Sequence, residues 1–64
     1  MPISDDQLDY IVEHNPDPVD FLFALTCNMG VTNEEALSYM VEVFGYKYSI
    51  EELSAFYKKF LTQQ

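Results

Sequence analysis

Few side chains in this chain are of a type that does chemistry, and their spacing gives most of them other work. A serine or cysteine nucleophile needs a base beside it and a third group to orient that base. His14 is the only histidine and Cys27 the only cysteine. His14 falls at the end of an apolar-periodic segment, where a partly positive ring favours the negative end of a helix dipole. Ser4 and Ser49 stand where helix caps are needed. His14, Asp17 and Asp20 are of metal-ligand type, but no calcium-loop spacing occurs, and one cysteine with one histidine cannot close a zinc site. Glu34 and Glu35 are neighbours that point to different parts of a helix surface, so they do not form an acid/base pair. Gly30 and Gly45 are the only glycines; both read as helix stops, which leaves no glycine-rich phosphate loop. The expectation is a protein with no catalytic residues, no cofactor and no metal: not an enzyme.

The elements that would position these residues are four helices. Ser4 with Gln7 forms a capping box, with Ile3 and Leu8 at the spacing of a hydrophobic staple. Leu8, Ile11 and Val12 form one face, predicting a helix over about 5–14. Asn15-Pro16-Asp17-Pro18 breaks the chain, because Pro16 pushes Asn15 out of helical geometry. Asp17 then caps a second helix, about 18–29, with Pro18 at its first position and Gly30 closing it. Thr32 with Glu35 repeats the box, stapled by Val31 and Ala36, and opens a third helix over 33–44. Its inward stripe is Ala36, Leu37, Met40, Val41 and Phe44. Ser49 with Glu52 is the third box, with Tyr48 and Leu53 as staple, and Leu53, Phe56, Tyr57 and Phe60 continue a helix over 50–62. Tyr46-Lys47-Tyr48 alternates like a strand but has no second strand to pair with, so it reads as a loop. The predicted architecture is all-α: one domain, 1–64, a compact bundle of four short helices with the second near the centre and the last two packed as a hairpin.

Composition bounds the function. An apolar fraction of 48% with five Phe and five Tyr is a globular inventory. Three Lys oppose eleven Asp and Glu, for a net charge of −8. Such a surface repels phosphate backbones, which disfavours direct nucleic-acid binding, and attracts a basic protein. Asp5, Asp6, Asp17, Asp20, Glu34, Glu35, Glu51 and Glu52 lie at a predicted cap or in a first helical turn, where a carboxylate is worth about 0.3–1 kcal/mol against the helix dipole. That leaves Asp9, Glu13 and Glu42, too few for a phosphate-like track. The longest apolar stretch, Phe21 to Leu25, is far short of the roughly 20 residues of a spanning helix. Acids occupy the place of a signal peptide's basic region. With a lone thiol and no disulfide, the expected setting is the cytoplasm, away from membranes.

The surplus is apolar. In the second helix Val19, Phe21, Leu22, Phe23, Leu25 and Met29 cover more than one face, leaving only Asp20, Thr26 and Asn28 for a polar back. Either this helix is enclosed by the other three, or part of it is exposed for a partner or a second copy of the chain. The expected partner-binding patch is Phe21, Phe23, Leu25, Tyr39, Val43 and Tyr46, aromatic-rich as protein interfaces are.

The run Glu34-Glu35-Ala36 through Phe44-Gly45-Tyr46-Lys47-Tyr48-Ser49-Ile50-Glu51-Glu52-Leu53 resembles the nitrogen-fixation-associated leader-peptide family. Its members carry a helix, a Gly-aromatic turn and a Ser/Thr-x-Glu-Glu-Leu opening of the next helix; the similarity covers about a third of the chain. Leaders of that family end in a double-glycine cleavage site and a core peptide, whereas this chain ends Leu61-Thr62-Gln63-Gln64. The resemblance therefore implies a stand-alone relative recognised by other proteins. Met29-Gly30-Val31 followed by Ala36-Leu37 is similar to the Met-Gly-aromatic loop and second helix of ubiquitin-associated-type three-helix modules. Here Val31 stands where an aromatic is usual, and the spacing to the last helix is longer.

These readings converge on a small acidic regulatory or adaptor protein that binds another protein, one with a basic surface. Two alternatives stand beside it. One is a phage-type inhibitor or nucleic-acid charge mimic, and the other is a structural small subunit that completes its folding as a homodimer.

Overall fold

Local signals set where each helix begins. In the computed structural model, which describes residues 3–62, Ser4 Oγ accepts from the Gln7 amide at 3.2 Å and Gln7 Oε1 accepts from the Ser4 amide at 3.1 Å, opening α1 over Asp5–His14. Asp17 Oδ1 accepts from the Val19 amide at 2.8 Å and opens α2, Pro18–Phe23, with Pro18 at its start. The box of Thr32 and Glu35 opens α3, Asn33–Phe44. The box of Ser49 and Glu52 opens α4, Ile50–Thr62. Each cap supplies partners for amides that the first helical turn leaves unpaired. Gly45 closes α3 at φ 70°, a left-handed conformation that costs a residue with a Cβ about 1–2 kcal/mol. The described residues form an all-α fold of four helices with no strand, and Tyr46-Lys47-Tyr48 is a loop.

The second helix departs from the expected single α-helix over 18–29. After Phe23 the chain widens into a π segment, Ala24–Asn28, in which the Met29 amide reaches back five residues to the Ala24 carbonyl at 3.2 Å. The Thr26 hydroxyl donates to the Leu22 carbonyl at 2.9 Å, competing with the backbone amide that a regular turn would place there. Gly30, at φ 70°, then lets the Val31 amide bond the Leu25 carbonyl at 3.0 Å, and the segment is closed. The widened turn leaves Leu25 inside, returns Val31 to the core, and turns Cys27, Asn28 and Met29 outward.

The core is built around this element. Phe21, Leu22 and Leu25 are 0% exposed, joined by Ala36 and Met40 of α3, Leu53 of α4 and Leu8 and Ile11 of α1. The close backbone approaches run from α2 to α3 and α4, and from the π segment to α3. The expected hairpin of the last two helices is thus opened around α2, which occupies the centre. Phe21 meets Phe44 edge-on with ring centroids 5.3 Å apart. Tyr57 ties the layers together: its hydroxyl donates to Asn33 Oδ1 at 2.9 Å and lies 3.3 Å from Thr26 Oγ1. The radius of gyration is 11.0 Å, close to the roughly 11 Å of a folded chain of this length. No buried side-chain polar atom among the described residues lacks a partner.

Candidate functional site

The six residues expected to form one patch do not form a common exposed surface. Phe21 and Leu25 are wholly enclosed in the core and present no surface to a partner. The reason is topological: the apolar residues that exceed one stripe of α2 are needed because α2 is flanked on several sides. Val43 is half-buried and packs against the core. Tyr39 is half-buried too, and its hydroxyl accepts from the Ile3 amide at 3.1 Å, pinning the chain that leads into α1. Tyr46 is 52% exposed. It meets Tyr48 edge-on at 4.7 Å, and its hydroxyl donates to Glu52 Oε2 at 3.3 Å. Tyr48 in turn meets Phe56 at 5.4 Å, and burial, more than the charge of Glu52, holds its phenol above the ordinary tyrosine range.

Phe23 is the expected residue that lines a concave surface. Its ring stacks on Phe60 with centroids 3.7 Å apart and meets Tyr57 edge-on at 5.0 Å. Phe23 and Phe60 form the apolar wall of a cleft of about 310 Å³, with Asn15, Asp20, Ala24, Cys27 and Asn28 around it. The π segment supplies three of these, so the widened turn shapes the cleft as well as closing the helix. Asn15 is held at the end of α1 by a bond from its Nδ2 to the Ile11 carbonyl at 3.0 Å.

A second cleft, of about 190 Å³, lies between α1 and Met29, the residue that follows the π segment, and is walled by Gln7, Tyr10, Ile11 and Met29. Tyr10 is 62% exposed and Met29 39% exposed. The tyrosine is held in place: His14 stacks on it at 4.0 Å, and His14 Nδ1 lies 2.9 Å from the Tyr10 carbonyl. A carbonyl only accepts, so Nδ1 carries the hydrogen. The consecutive residues Asn28 and Met29 join the two clefts into one strip along α1. Along the chain Tyr10 falls on the polar side of α1 and Met29 within the apolar surplus of a regular α2, so neither stands out as a site residue. The signal that could have found them is Thr26, whose hydroxyl unsettles the helix register.

Charge is unevenly placed around the strip. Residues 1–46 contain Asp5, Asp6, Asp9, Glu13, Asp17, Asp20, Glu34, Glu35 and Glu42 and no lysine or arginine; the three lysines are Lys47, Lys58 and Lys59. Lys59 shares a small polar cleft with Asp17 and Asp20 at the start of α2. Glu35 is committed to its cap: the Thr32 hydroxyl donates to its carboxylate at 3.0 Å, and this bond, with that from the Thr32 amide, holds its pKa below the ordinary carboxylate value. Among the described residues, no three His, Cys, Asp or Glu side chains are grouped to hold a metal ion, and no helix is long and apolar enough to cross a membrane. Comparison with known protein families, with curated proteins and with solved structures finds nothing that matches this chain.

Proposed function

We propose that this chain is a small acidic regulatory or adaptor protein that works in the cytoplasm by binding another protein along the strip between α1 and the π segment. The observation that carries the reading is the pair of adjoining clefts walled by aromatic and apolar side chains, Phe23 and Phe60 on one side and Tyr10 and Met29 on the other. Large apolar groups left at a surface and rimmed by polar ones are what a protein contact requires. The relocated site keeps Phe23 of the expected patch and replaces the enclosed Phe21 and Leu25 with residues that the fold leaves accessible. The resemblance of residues 34–53 to the leader-peptide family is in keeping with it, since it implies a relative recognised by other proteins. The excess of acid along residues 1–46 favours a basic protein over a nucleic acid as partner.

The test is site-specific photo-crosslinking in the native host. A photoreactive residue at Asn28, where the two clefts meet, should yield a discrete protein adduct, whereas the same residue at exposed Ser54 on α4 should not. Folded protein that gives no adduct at Asn28, or the same adducts from both positions, would overturn the proposal.

A further inference from the structure

We infer that the cleft of Gln7, Tyr10, Ile11 and Met29 receives a short basic segment of another protein, anchored by one large apolar side chain and flanked by lysine or arginine. The inference rests on the protein-binding reading above and gives it a site and a partner chemistry. At about 190 Å³ the cleft is below the roughly 300–1,000 Å³ of small-molecule sites, so it suits a single side chain better than a cofactor. Its walls are apolar apart from Gln7. Met29 contributes an unbranched, polarizable side chain that adapts to the group it meets. Tyr10, braced by His14, offers a ring that is already fixed, so little rotamer freedom is lost on docking.

The flanks decide the partner's charge. Asp6, Asp9 and Glu13 stand four and one residues before and three residues after Tyr10 on α1, and all three are exposed. On a helix the positions three and four away adjoin Tyr10 directly, so Asp6 and Glu13 flank the Tyr10 ring, one turn before and one turn after it, on the side of α1 away from Gln7 and Ile11. No lysine or arginine occurs on α1 or anywhere before Lys47, so neither this helix nor the next supplies a cation to these acids. A segment that presents lysine or arginine about one helical turn on each side of its apolar anchor matches this arrangement. A second copy of the chain matches it poorly. Its own cations are three lysines, one of which already faces Asp17 and Asp20, and two chains of net charge −8 repel each other.

The probe is a capped alanine-based helical peptide with one central leucine and lysines three and four residues to either side. It would be titrated into the full ¹⁵N-labelled chain and followed by NMR. Shifts should concentrate at Gln7, Tyr10, Ile11 and Met29, and binding should weaken at least tenfold between low and physiological salt. It should also weaken at least tenfold when the peptide leucine becomes alanine, or when Tyr10→Ser is introduced with helicity unchanged. Three results would overturn the inference. One is shifts spread over every acidic helix and indifferent to the leucine. Another is shifts confined to the Phe23–Phe60 cleft, which would leave the protein-binding reading standing and remove only this site. The last is peptide-free self-association, seen by light scattering, that perturbs these same four residues. A failed peptide with a surviving Asn28 adduct would reject the partner chemistry alone, whereas loss of the Asn28 adduct would reject the broader reading.

Discussion

The two clefts are built from side chains with different obligations. In the Phe23–Phe60 cleft the aromatic wall also holds α4 against α2, since Phe23 stacks on Phe60 and meets Tyr57. In the Tyr10–Met29 cleft the wall consists largely of groups the core does not need, with Tyr10 more than half exposed. The first cleft couples binding to stability, whereas the second separates them. Substitutions can therefore remove binding from the second cleft without unfolding the protein, and cannot do so cleanly in the first.

The largest effect should come from a residue of the core that both clefts leave covered. Leu25→Ala empties a fully enclosed site, and such truncations cost about 2–5 kcal/mol. In a chain this short, that is enough to unfold it, measured as loss of the cooperative urea transition; a retained transition with an unchanged midpoint would deny α2 its central place. Gly30→Ala comes next. The added Cβ meets no neighbouring atom, so the cost, roughly 1–2 kcal/mol, is that of the left-handed backbone alone. It should appear as a lowered melting temperature together with NMR shifts at Cys27, Asn28 and Met29, because Gly30 closes the turn that aims them.

Phe60→Ala should cost roughly 0.5–1.5 kcal/mol through loss of the ring pair alone, beyond the area it covers, and should weaken any partner that crosslinks at Asn28. Tyr10→Ser should change stability by less than about 0.5 kcal/mol while removing binding of the basic peptide. Equal destabilisation by these two substitutions would erase the distinction between the clefts. The smallest effect is electrostatic. Glu35 has its pKa lowered by Thr32, so its contribution to stability is full above the unfolded-state pKa and is lost as pH falls through the lower folded value. A carboxyl titration by NMR should place its midpoint below the usual 4.5, and Thr32→Val should raise it; a midpoint that does not move would show that the hydroxyl is not the cause.

Helix positions were legible because their signals are local. Each of the three capping boxes places donor and acceptor within four residues, so the backbone that satisfies Ser4 with Gln7, Thr32 with Glu35 or Ser49 with Glu52 is helical whatever surrounds it. Of the expected patch, Phe23 lines a cleft and Tyr46 is exposed away from it. Phe21 and Phe23 look equivalent along the chain, two bulky rings on one apolar helix, yet one is wholly enclosed and the other lines a cleft.

The sequence by itself determined an acidic all-α chain, the start of every helix, the left-handed closure at Gly30 and Gly45, and the crowding of acid before the first lysine. These follow from hydrogen bonds between near neighbours and from composition, neither of which needs a third dimension. Only the tertiary structure decided that the helix expected at the centre encloses Phe21 and Leu25 completely, that its second half widens into a π turn, and that Tyr10 and Met29 face outward. Those outcomes depend on which helices pack around α2 and on how the Thr26 hydroxyl and the Leu25 and Ala24 carbonyls find partners there. Burial is a property of the assembled molecule, and helical periodicity gives the direction of a side chain without saying what stands in front of it.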